Sequence, residues 1–90
     1  MINLSAQLMT PFLNNNGTAR CDLVASRLEA KEAIYAAMKA LQEIRPNSRD
    51  YIGKEAIFDL DVSIYSARFS ALDAIRNALY DEAIIINDCQ

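Results

Sequence analysis

The residues of this chain best placed to do chemistry are cations without obvious partners. On a helical wheel at about 100° per residue, Arg20, Arg27 and Lys31 fall within about 20° of one line along the stretch Arg20 to Arg45. Asp22, Glu29, Glu32 and Glu43 lie on the far side. Surface helices usually pair such cations with acids three or four residues away. Arg27 has Leu23, Val24, Ala30 and Lys31 at those positions, and Lys31 has Arg27, Leu28, Ile34 and Tyr35. The counter-charge must therefore come from outside the helix. It can be solvent around snorkelling side chains, a carboxylate such as Asp61 or Asp59 on a partner helix or another subunit, or a bound anion. Tyr35 beside Lys31 sets an aromatic face next to cations, the combination that a nucleotide base and its phosphate require. The candidate anion site is thus Arg27, Lys31 and Tyr35, extended by Arg20 on the same line and by Phe12 just ahead of the helix.

Other chemistry finds little support. The chain has no histidine, which removes the commonest general base and the commonest zinc ligand. Cys21 and Cys89 stand near opposite ends with no zinc or redox spacing, and there is no glycine-rich phosphate loop. Asp59 and Asp61 are two residues apart on a helix, so they point to different faces and make a poor acid/base pair. We expect no catalytic residues, no metal and no cofactor. Arg68 also lacks a local acid, though Asp61 lies two turns away on its line, and a buried inter-helix ion pair is the plain reading there. The aromatic stripe Phe58, Tyr65, Phe69 and Tyr80 reads as packing.

Two long helices must position these groups. Arg49 to Ala83 reads as one amphipathic helix with a narrow polar stripe, Glu55, Asp59, Ser63, Ser66, Ser70, Asp73, Asn77 and Asp81. One flank of it carries Ala56, Ile57, Leu60, Ile64, Ala67, Ala71, Ala74, Ile75 and Ala78, and the other carries Phe58, Val62, Tyr65, Phe69, Leu72, Leu79 and Tyr80. One partner helix covers only one such flank, so self-association is expected to cover the second. The Arg20 to Arg45 helix stops at Pro46, with Leu23, Ile34, Leu41 and Ile44 as its core face, and Asn47 or Ser48 caps the second long helix. Gly53 disfavours a regular helix before Lys54. The short connection makes the two helices antiparallel neighbours.

The expected fold is all-α: a single domain of residues 1–90, an antiparallel helical hairpin assembled into a homo-oligomeric bundle. It comprises a short helix and loop at 1–17, helices at 20–45 and 49–83, and a frayed tail at 84–90. In the first segment Asn3 caps a short helix over Ile2 to Thr10 that packs on the hairpin, Asn14 to Asn16 with Gly17 form a turn, and Thr18 caps the next helix. The β-branched run Ile84 to Ile86 predicts fraying.

Ninety residues that are 52% hydrophobic make a small, marginal domain, which again favours a core shared between chains. A net charge of -3 argues against duplex nucleic acid and anionic membranes as partners. With no signal peptide and no apolar run of about 18 residues, a reduced, cytoplasmic protein is expected.

The turn Pro46, Asn47, Ser48, Arg49, Asp50, followed by Asp59, Leu60, Asp61, then Ile64, Tyr65 and Ala67, resembles the phage anti-CBASS type 2 sponge family, which shares its helical hairpin with the anti-Thoeris type 1 proteins. The resemblance covers roughly residues 20 to 83. The spacing from Arg49 to Leu60 is longer than the family pattern, and Tyr65 stands near the usual tryptophan. The resemblance implies a homo-oligomer, hexameric in the family, that sequesters cyclic oligonucleotides such as cyclic GMP-AMP between subunits in the host bacterial cytoplasm without hydrolysing them. It adds Arg49 to the ligand-binding candidates. The alternative, from the residues alone, is an acidic helical-hairpin inhibitor or adaptor that binds a protein and no small molecule.

Overall fold

The computed structural model describes residues 4–12 and 17–88, and its order is three short 3₁₀ turns around two long helices. Helix α1 runs Arg20–Leu41 and helix α2 runs Glu55–Asp88. The turns are Leu4–Ala6, Gln42–Ile44 and Ser48–Tyr51. No strand occurs among the described residues. The expected cap at Asn3, the turn at Asn14 to Asn16, and Cys89 and Gln90 lie outside the described residues.

The helices pack side by side in opposite directions, so that Arg27 meets Glu82, Lys31 meets Tyr80 and Tyr35 meets Arg76. The hairpin measures 63 × 29 × 18 Å. Its radius of gyration is 18.0 Å, where a compact chain of this length would have about 12 Å.

The connection obeys the chemistry of its own residues closely. Helix α1 tightens to 3₁₀ geometry after Leu41, and Arg45 takes an extended ψ of 129°, the conformation favoured before proline. Ile44, expected on the core face, is exposed. It sits in the 3₁₀ turn, where each residue advances about 120° rather than 100° and so rotates off the α-helical stripe. Asn47 Oδ1 accepts from the Arg49 backbone N–H at 3.1 Å, capping the short turn rather than the long helix. Gly53 adopts φ 77°, a left-handed conformation that glycine takes without steric cost, and α2 starts two residues later.

The helices expected at 20–45 and 49–83 are Arg20–Leu41 and Glu55–Asp88, because 3₁₀ turns take up the residues on either side of Pro46, and three further expectations are corrected. Ala19, not Thr18, is the N-cap of α1, and no side chain caps it; its carbonyl accepts from the Asp22 and Leu23 N–H groups. The first segment holds a 3₁₀ turn at Leu4–Ala6 rather than a helix over Ile2 to Thr10, though it does pack on α2. Residues 84–88 do not fray: α2 continues to Asp88 and buries Ile86. The last turns of α2 run beside the first turns of α1, and that burial outweighs the modest helix penalty of β-branched residues.

Candidate functional site

On α1 the buried or half-buried positions are Arg20, Leu23, Val24, Arg27, Lys31, Ile34, Met38 and Leu41. Their spacing of three and four residues shows that the basic line faces α2 instead of rising from the surface between two apolar strips. The cations therefore meet whatever α2 presents.

At the open end of the hairpin, α2 presents Glu82, which is 2% exposed. Arg27 Nε donates to its Oε1 at 2.9 Å, Arg27 Nη1 donates to the Leu23 carbonyl at 3.3 Å, and the Met9 backbone N–H donates to Glu82 Oε2 at 3.1 Å. The carboxylate is satisfied from both oxygens. Arg27 is thus not a cation awaiting a ligand, and its counter-charge is Glu82 rather than Asp59 or Asp61. Arg20 is half-buried on the same face, and its Nε finds no partner among the described residues.

One turn further along α1 the chemistry changes. Lys31 Nζ sits 5.4 Å from the centre of the Tyr80 ring, with an exposed Glu32 carboxylate at 3.5 Å. Tyr35 carries two cations, Lys39 Nζ at 5.2 Å and the Arg76 guanidinium carbon at 5.0 Å. Arg76 also reaches Asp73 at 3.6 Å, while its Nε is enclosed without a hydrogen-bond partner among the described residues. The rings are half open to solvent, at 43% for Tyr35 and 47% for Tyr80. In the groove that two packed helices leave between them stand two tyrosines and three cations, with Glu32 and Asp73 beside them, on a chain of net charge -3. Cations over aromatic faces are held in place electrostatically; the cavities of the structure lie instead at the connection, around Pro46, Tyr51, Phe58 and Tyr65.

The remaining candidates are elsewhere. Phe12 is 95% exposed. Arg49 is exposed on the connection, at the opposite end of α2 from Tyr80, the stretch from Glu55 to Tyr80 spanning about 37 Å. Asp61 takes the Tyr51 hydroxyl at 2.7 Å rather than Arg68, and Asp59 is exposed. The Tyr51 phenol is raised above its usual 10.0, first by donating that hydrogen bond and then by burial and the nearby Asp61 and Asp50 charges. Among the described residues no group of histidine, cysteine and acids could hold a metal, and no helix is long and apolar enough to cross a membrane.

Sequence reasoning set Lys31 and Tyr35 side by side but missed Lys39, Arg76 and Tyr80 as their company and Glu82 as the partner of Arg27. The signal for two of these was present. Arg76 follows Leu72 by four and precedes Leu79 by three, and Glu82 falls between Leu79 and Ile86 at the same spacings. A charge on an apolar stripe is either paired or functional. Comparison with protein-family models, with curated proteins and with solved structures finds no match to this chain.

Proposed function

We propose that the protein is a non-catalytic, homo-oligomeric binder of cyclic oligonucleotides, a phage immune-evasion sponge acting in the host bacterial cytoplasm. The observation that carries this reading is the groove of Lys31, Tyr35, Lys39, Arg76 and Tyr80, where half-exposed rings and cations, the two kinds of group that hold bases and phosphates, stand together. The resemblance of the Pro46 to Ala67 stretch supplies the ligand class. Release of intact ligand is the outcome the residues at hand support, since the chain has no histidine to move a proton.

Calorimetry against a panel of cyclic di- and trinucleotides, with chromatography of ligand recovered after heating, tests the proposal. Tight binding with ligand recovered unchanged is expected. Degraded ligand, or no binding to any member of the panel, overturns it. The second outcome favours the protein-docking hairpin, whose supporting observation is the bare aliphatic flank of α2 at Ile57, Leu60 and Ile64.

A further inference from the structure

The flank of α2 that turns away from α1 carries a regular seam. Ile57, Leu60, Ile64, Ala67, Ala71 and Ala74 succeed one another at alternating spacings of three and four, the alternation of helices that wind around one another. Ile57 is 51% and Leu60 60% exposed, Ala67 and Ala71 are exposed, and Ala74 is half-buried. Ile64 is 39% exposed, beside Ile44, Pro46 and Tyr51 of the connection, so the described residues leave this flank largely open.

The order of sizes along the seam is informative. Bulky residues fill its first half and alanines its second. Two copies aligned in parallel would set Ile57 on Ile57 and Leu60 on Leu60, then leave a gap along three alanine layers. Reversing one copy sets Ile57 against Ala74, Leu60 against Ala71 and Ile64 against Ala67, so that each layer joins one large and one small side chain. We infer that this flank packs against the same flank of a second copy, antiparallel, about a two-fold axis between Ile64 and Ala67.

Charge and area point to the same occupant. Asp61 and Arg68 each stand one position after a seam residue and so lie along the same edge of it. Arg68 is exposed and has no ion pair among the described residues. In the antiparallel pair Arg68 of one copy comes within about two residues, roughly 3 Å of axial rise, of Asp61 of the other, and the contact occurs twice. The opposite edge, Ala56, Ser63 and Ser70, is small and uncharged, which permits close approach. The chain exposes 6866 Å², about 1,600 Å² more than a compact protein of its mass. A standard interface takes about 800 Å² from each partner.

This names the surface behind the self-association proposed for the protein and is separable from the nucleotide reading. Arg76 and Tyr80 lie nearly half a turn around α2 from the seam, so the pair leaves the tyrosine groove open. In a Cys21→Ser, Cys89→Ser background, chains carrying Leu60→Cys are mixed with chains carrying Ala71→Cys and oxidised. The mixed Leu60→Cys to Ala71→Cys disulfide should dominate over either self-pair. Dominant self-pairs, or no cross-link, overturn the inference. Leu60→Glu, at a position open in the single chain, should keep full helicity while the particle mass falls. An unchanged particle mass overturns the inference equally. Cross-linking without nucleotide binding leaves the two-fold pair standing and removes the sponge reading; binding without cross-linking does the reverse.

Discussion

Arg27 and Lys31 stand one turn apart on the same face of α1, yet they meet opposite fates. Arg27 is closed in by Glu82, the Leu23 carbonyl and the strap that brings the Met9 N–H to the same carboxylate. Lys31 opens onto a groove of half-exposed tyrosines. The difference teaches that a cation lacking local acids is not thereby available to a ligand. What decides is the residue the opposite helix offers at that level, an acid in one case and a tyrosine in the other.

The largest expected effect breaks the closed node. Glu82→Ala strands the Arg27 charge where solvent reaches it poorly, and should cost about 3–5 kcal/mol of folding stability in denaturant titration. Replacing both partners, Arg27→Leu with Glu82→Leu, should recover most of that loss, because the damage comes from an unpaired buried charge rather than from a missing attraction. If the double variant is as unstable as Glu82→Ala, the node holds the fold by some other means.

The open groove should respond in the contrary way. Lys31→Ala, Arg76→Ala and Tyr35→Ala should each cost about 1–2 kcal/mol of stability or less. Each charge removal should nevertheless weaken cyclic-nucleotide binding by about 2–5 kcal/mol if the contact is desolvated, a loss read directly by calorimetry. Arg27→Ala should lose stability and binding together, and that pairing of effects separates the node from the groove. Equal losses of stability in both sets would erase the distinction.

A smaller effect sharpens the comparison at the connection end, where a third polar contact is open to solvent on one side. Since the folded-state pKa of Tyr51 is raised, the neutral phenol is favoured by folding. Its contribution is complete below the ordinary tyrosine pKa of 10.0 and is lost as pH climbs from there through the raised folded value. Spectroscopic titration should show the Tyr51 phenol ionising above the ordinary tyrosine value, and Asp61→Asn should bring it back down. The smallest effects belong to Phe12→Ala and Arg49→Ala, both exposed and expected to change stability by no more than about 0.5 kcal/mol. A change in ligand affinity at either would place it in a site shared between chains.

Most of the hairpin was legible in the sequence. The apolar period, the stop at Pro46 and the break at Gly53 act within a few residues of themselves, and local chemistry sets them whatever the distant chain does. The candidate site was legible in part, as Lys31 and Tyr35, because neighbours on one helix face can be read off a wheel. The rest was not. Which α2 residues Arg27 and Lys31 meet depends on the register between α1 and a helix whose facing residues lie about fifty positions away, and a one-turn slip would give both of them other partners. The tertiary structure alone also decided that the aromatic flank of α2 meets α1 while the Ile57 to Ala71 flank stays bare, since both flanks are apolar and only their packing competition ranks them. The same packing held residues 84–88 in a helix their β-branched side chains do not favour: local propensity is worth tenths of a kcal/mol per residue, and burying a side chain such as Ile86 is worth about 1.5–3.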